Sequence, residues 1–184
     1  MRIIAGEFRG RKLLGPEGDQ TRPITDRVKQ SVFDVLSPRI ADSVVYDLFA
    51  GTGSMGLECL SRGCRFVTFF ESDRSAVKLL EKNILTLGVK DRSQMVSGDL
   101  FRWFASKPAP VEKSGMVFLD PPYRFLTEQP DPLRSLAGAI SEKHLLQDGV
   151  VIFRHDIGDS LQLPPLKQQD VRDYGGMRVE FLGL

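Results

Sequence analysis

Five short apolar runs, separated by stretches with helical periodicity, constrain this chain more than any other feature. The runs are Val44 to Phe49, Phe66 to Phe70, Gln94 to Val96, Met116 to Leu119 and Val150 to Phe153. Between them, Ser54 to Arg62 reads as a short helix with Gly63 just past its end. Asp73 to Leu87 reads as a longer one, with Val77, Leu80, Ile84 and Leu87 on one face and Gly88 as its stop. A short helix follows Gly98-Asp99, and Pro132 to Lys143 reads as another. Strand–helix alternation requires parallel strands joined by right-handed crossovers, with helices on both faces of the sheet. Gln169 to Tyr174, Gly175-Gly176 and Met177 to Leu182 read as a terminal hairpin that adds antiparallel strands, giving a mostly parallel seven-stranded α/β sheet.

The first 40 residues stand outside this pattern. Residues 1–20 alternate loosely around Gly6, Gly10, Gly15 and Pro16, which predicts a β-hairpin or arm. Arg22 precedes a proline and is extended. Thr25 then caps a helix carrying Val28, Val32, Val35 and Leu36, expected to stop at Pro38. This segment holds eight basic and five acidic residues, +3 within a chain of net charge +1. A basic segment on a slightly acidic body suits a polyanion; Arg2, Arg9, Arg11, Lys12, Arg22, Arg27 and Lys29 are the candidate phosphate contacts. The alternative is an ordinary solvated charged face. The expected division is an extension over 1–40 and a main domain over 41–184.

Several function classes fall away early. No apolar run reaches the ~18 residues of a membrane span, and no secretory leader is expected at Met1-Arg2-Ile3-Ile4. The two cysteines, Cys59 and Cys64, have no metal-ligand partners at useful spacing and read as core residues in a reducing cytosol. No metal is expected.

Gly51, Gly53 and Gly56 form a G-x-G-x-x-G between a strand and a helix, with Glu71 twenty residues on. Glycines let a ligand approach the backbone, the helix N-terminus offers N–H groups, and an acid at that distance accepts from ribose hydroxyls. The competing reading is a tight structural turn. Asp47 at the end of the first strand disfavours the pyrophosphate of NAD and favours a ligand carrying an ammonium or sulfonium, such as S-adenosylmethionine. Asp99 either accepts from an adenine amine or caps the next helix.

Asp120-Pro121-Pro122-Tyr123 follows the fourth strand. Proline holds Asp120 extended, so the acid and the Pro121 carbonyl become fixed acceptors beside a flat ring. Such acceptors grip an exocyclic amino group and localise its lone pair for attack on a methyl group, while Tyr123 stacks on a flipped base. The alternative is a rigid turn with a core tyrosine. Asp47, Glu71, Asp99 and Asp120 each lie at or just past a strand C-terminus, where open α/β sheets bind ligands, and are expected to line one crevice. His144, His155 and Trp103 carry no expected role.

Together these residues resemble the Rossmann-like S-adenosylmethionine-dependent methyltransferases with a D-P-P-Y motif. They resemble in particular the bacterial RsmD-type 16S rRNA guanine-N2 methyltransferases. The resemblance runs through Arg2 to Gly6, Gly10 to Leu13, Thr21-Arg22-Pro23, Thr25 to Lys29 with Phe33, Asp47 to Gly53, Gly56 to Glu58, Ser61 to Gly63, Phe70 to Asp73, Asn83 and Asp120 to Tyr123. It implies a cytoplasmic, monomeric enzyme that moves a methyl group from S-adenosylmethionine to a guanine N2, leaving S-adenosylhomocysteine. The substrate it implies is 16S rRNA within a 30S subunit or an assembly intermediate. By the same resemblance Asp47, Gly51, Thr52, Gly53, Glu71, Ser72, Asp99 and Leu100 bind cofactor, and Asp120, Pro121, Pro122 and Tyr123 act on the base. The rival readings are a DNA adenine-N6 methyltransferase and an RNA-binding assembly factor that holds the cofactor without turnover; an NAD oxidoreductase is a third.

Overall fold

The computed structural model describes residues 1–15, 24–106, 110 and 112–184. The chain forms two compact units, Met1–Gly98 and Asp99–Leu184. Among the described residues the sheet strands number seven, three in the first unit and four in the second. β1 (Val44–Leu48), β2 (Phe66–Glu71) and β3 (Ser93–Ser97) pair in parallel in the first unit. In the second, β4 (Ser114–Leu119) pairs in parallel with β5 (Leu145–Asp156). The hairpin of β6 (Lys167–Tyr174) and β7 (Met177–Gly183) joins β5 through an antiparallel β5–β7 ladder, as the terminal glycine pair implied.

The first unit opens with a short arm in which Arg2 bridges Lys12 and Ile3 donates to the Arg11 carbonyl at 2.9 Å. Helix α1 (Asp26–Ile40) begins where Thr25 Oγ1 accepts from the Val28 N–H. It does not stop at Pro38 but continues to Ile40. Proline has no N–H for the Asp34 carbonyl, and the Ser37 hydroxyl takes that place at 3.0 Å. One face of α1 buries Val32, Phe33, Leu36 and Ile40, while Val28 and Val35 lie at its margin.

Helix α2 (Ser54–Ser61) follows the glycine turn, and α3 (Arg74–Leu87) starts from an Asp73 cap and ends at Gly88 with φ 68°. β1 and β2 bury Val45, Leu48, Val67, Phe69 and Phe70. Burying each such side chain stabilises by about 1.5–3 kcal/mol, so this apolar layer is what sets the strand ends rigidly.

In the second unit, α4 (Leu100–Ser106) follows β3, α5 (Phe125–Glu128) follows β4, and α6 (Pro130–Ala139) leads into a π turn over Ile140–His144. α6 starts earlier than the periodicity suggested because Pro130 suits a first helical position. β5 is longer than its apolar run. Ser114 pairs with Leu145 but Met116 with Val150, so Leu146 to Gly149 bulge out of the ladder. His144 is buried beside Trp103 and Phe104, with ring centroids 5.7 and 4.9 Å away. Trp103 is thus an aromatic neighbour of a buried histidine. No helix among the described residues is long and apolar enough to cross a membrane.

Candidate functional site

In the first unit the candidate site is built at the C-terminal ends of β1 and β2. Phe49, just past β1, takes a left-handed φ of 58°, a conformation that costs a bulky residue about 1–3 kcal/mol. The turn that follows is held from both strands. The Ala50 N–H donates to the Phe70 carbonyl at 2.9 Å, and the Gly51 N–H donates to Glu71 Oε2 at 2.7 Å. The other oxygen of Glu71 accepts from the Ser72 and Asp73 N–H groups, both at 2.8 Å. A carboxylate has about four lone-pair directions. Three are committed to this backbone, which fixes the carboxylate and leaves capacity for one further donor.

Asp47 is 2% exposed, and its Oδ2 accepts from the Gly56 N–H at 2.9 Å. The acid therefore works inside the turn, fastening the first turn of α2 to β1. Gly53 caps α2 at φ 84°, a region an L side chain rarely adopts. At Gly56 a Cβ would collide with Phe69 and Val67, so only glycine lets α2 lie this close to β2. A Cβ at Gly51, by contrast, would meet nothing within 4 Å. Thr52 is buried and its carbonyl accepts from Asn83 Nδ2 at 3.0 Å. Asn83 also pairs with both backbone groups of Leu14, tying the end of the arm to the same turn.

The arm is anchored on α2. Glu58, fully buried, accepts from the Ile4 and Ala5 N–H groups at 2.9 and 3.0 Å, from Lys29 Nζ at 2.9 Å and from Arg62 Nε at 2.9 Å. Burial alone would push the Glu58 carboxyl up. The Lys29 charge, with donors from Lys29, Ile4 and Arg62, outweighs it and holds the group below its usual value.

Lys29 thus departs from the expectation of a phosphate contact. It is 2% exposed, and its ammonium is spent on Glu58 and the Arg2 carbonyl. Arg9, Arg11, Lys12 and Arg27 are exposed; Arg2 is exposed and paired with Asp26 at 2.7 Å. Arg22, with Thr21 and Pro23, lies outside the described residues.

In the second unit, Asp99 caps α4, its Oδ1 accepting from the Phe101 and Arg102 N–H groups at 2.9 and 3.2 Å. Leu100 is buried, so only its backbone is available to a ligand. Asp120 follows β4 directly. Pro121 is buried, Pro122 exposed and Tyr123 half-buried. The carbonyls of Pro122 and Tyr123 accept from Phe125 and Leu126, which turns the motif into α5.

The Asp120 carboxylate is gripped from β5. Arg154 Nε donates to Oδ1 at 2.7 Å and Nη2 meets Oδ2 at 2.5 Å, a bidentate pair. Sequence reasoning missed Arg154; the signal was a cation directly after the apolar run Val150 to Phe153. His155, for which no role was expected, is buried and linked to Glu180 at 3.2 Å. Among the described residues no group of His, Cys, Asp or Glu is placed to hold a metal ion.

A protein-family model described as conserved hypothetical protein 95 matches residues 1–183. The chain belongs to that family. Among relatives of this conserved hypothetical protein 95 member, the ribosomal RNA small subunit methyltransferase D of Escherichia coli K12 is 41% identical over 124 residues. That match covers 67% of this chain and 61% of that protein. A Bacillus subtilis protein described as a candidate rRNA methyltransferase is 37% identical over 187 residues, covering 100% of this chain and 95% of that protein. A solved structure of an Escherichia coli candidate methyltransferase superposes with a TM-score of 0.84 at 31% identity, covering 99% of this chain and 96% of that one. The resemblance read from the sequence agrees with these relatives, and the fold of this family member is that of a Rossmann-like methyltransferase.

Proposed function

We propose that the protein is a cytoplasmic, monomeric methyltransferase that uses S-adenosylmethionine to methylate the exocyclic N2 of a guanine in 16S rRNA, within a 30S subunit or its precursor. The observation that carries this reading is the Asp120 turn. A carboxylate held in a fixed plane at the end of β4 is followed by two prolines and a half-buried tyrosine. Rigid acceptors beside an aromatic face suit a planar base bearing an amine. The relatives named as rRNA methyltransferases support RNA as the carrier of that base.

The residues of the first unit fit the donor. Open space at Gly51, the N-terminus of α2 and the remaining acceptor capacity of Glu71 suit a ribose and a cationic tail. Gly51, Thr52, Gly53, Glu71 and Ser72 would hold it, with Asp99 and Leu100 toward its adenine. Asp47 acts through the turn it fastens. Bound there, S-adenosylmethionine supplies an electrophilic methyl group. Asp120 and the Pro121 carbonyl accept from the amine N–H groups and localise its lone pair, and Tyr123 stacks on the base. Arg9, Arg11, Lys12 and Arg27 contact phosphates and contribute affinity without sequence choice.

The test compares wild type with Asp120→Ala on small subunits lacking the modification. The variant keeps cofactor affinity and loses methyl transfer; retained transfer overturns the role of Asp120.

A further inference from the structure

Asp120 and Arg154 occupy corresponding positions on adjacent strands. The β4–β5 register pairs Val117 with Val151, Phe118 with Ile152 and Leu119 with Phe153, so the next step along both chains brings Asp120 beside Arg154. Arg154 sits on a strand flanked by β4 and β7, paired across to Val179, and its Nη1 lies 3.9 Å from the Met177 sulfur. A rigid strand therefore presents the guanidinium. The two bonds, at 2.7 and 2.5 Å, use one lone-pair direction on each carboxylate oxygen and lock the plane of the group. Pro121 restricts the Asp120 backbone, and Arg154 restricts its side chain.

We propose that Arg154 is a positioning residue. Its fork takes the facing lone pairs of both oxygens and sets the Asp120 carboxylate so that the outer lone pair of one oxygen is aimed at the acceptor amine. The proposal rests on the reading of Asp120 given above. A structural role alone is a poor account of this pair. Its side chains are 20% and 23% exposed, and partly exposed ion pairs add little to stability. Lysine carries the charge but not the planar fork, so the geometry predicts that charge alone will not suffice.

The experiment uses the full chain with S-adenosylmethionine and small subunits lacking the modification. Single-turnover rate, cofactor affinity and subunit affinity are measured for wild type, Arg154→Ala, Arg154→Lys and Asp120→Ala. Misplacing a reacting group by about 1 Å costs roughly 100-fold in rate, and that loss is expected for Arg154→Ala with both affinities unchanged. Arg154→Lys recovers little of it. Guanidinium ion at millimolar concentration restores part of the Arg154→Ala rate and none of the Asp120→Ala rate, a response that a merely structural role would not give. A full rate in Arg154→Ala or Arg154→Lys, with Asp120→Ala inactive, overturns the positioning role. An active Asp120→Ala overturns the underlying reading of the turn instead.

Discussion

Replacing Glu58 with glutamine tests the anchor on which the arm rests. Glutamine keeps the shape and one oxygen but removes the charge. Lys29, 2% exposed, then has no counter-ion. Removing one partner of a buried pair costs about 3–5 kcal/mol. The amide NH2 must also face two donors, either Ala5 and Arg62 on one oxygen or Ile4 and Lys29 on the other. Each orphaned donor costs about 1–3 kcal/mol, a cost that overlaps with the charge loss, so about 3–5 kcal/mol stands for the whole. That is a large share of a typical ~5–15 kcal/mol stability.

Urea unfolding followed by far-UV circular dichroism reads it directly, provided the m-value is unchanged. The double variant Lys29→Met/Glu58→Gln removes the orphaned charge and is expected to be more stable than Glu58→Gln alone. A loss below about 1 kcal/mol for Glu58→Gln, the worth of an exposed pair, refutes the reasoning. So does a double variant whose loss equals the sum of the singles.

Glu71→Ala removes the acceptor proposed for ribose along with the clamp on Gly51. Hydrogen bonds to a charged group are worth about 1.5–3 kcal/mol, so S-adenosylmethionine affinity by calorimetry should fall about 10- to 100-fold. Unchanged affinity removes the assignment. Burial, followed by the charges of Lys143 and Lys113, holds His144 below its usual value. The unfolded chain therefore binds more protons there, and this group's contribution to stability falls as pH drops through the unfolded histidine range. His144→Phe should flatten that acid-side slope in urea titrations between pH 7 and 5; an unchanged slope counts against it. Arg9→Ala/Arg11→Ala/Lys12→Ala should weaken rRNA binding and reduce the log–log salt slope by about 2, at ~0.7 per contact for single strands. An unaltered slope returns the arm to a solvated face.

The strands, the start of α1 and the end of α3 were legible in the sequence because their determinants are local: apolar runs, a cap at Thr25 and a stop at Gly88. Pro38 misled because the Ser37 hydroxyl replaces its missing donor, a compensation that appears only in three dimensions. The charged residues were hardest to read. Lys29 looks like part of a basic surface until Glu58 draws it inside, and one oxygen of Asp47 is taken by the Gly56 N–H nine residues on. Arg154 lies 34 residues from the carboxylate it grips, and no local pattern marks that pairing.

The central claim is methyl transfer to a guanine amine in small-subunit rRNA. Tritiated methyl transfer to naked rRNA, to small subunits lacking the modification and to duplex DNA, followed by nucleoside analysis, tests it directly. The account predicts N2-methylguanosine from the small subunits, lost in Asp120→Ala. N6-methyladenine from duplex DNA, or no labelled nucleoside from any substrate, would contradict it.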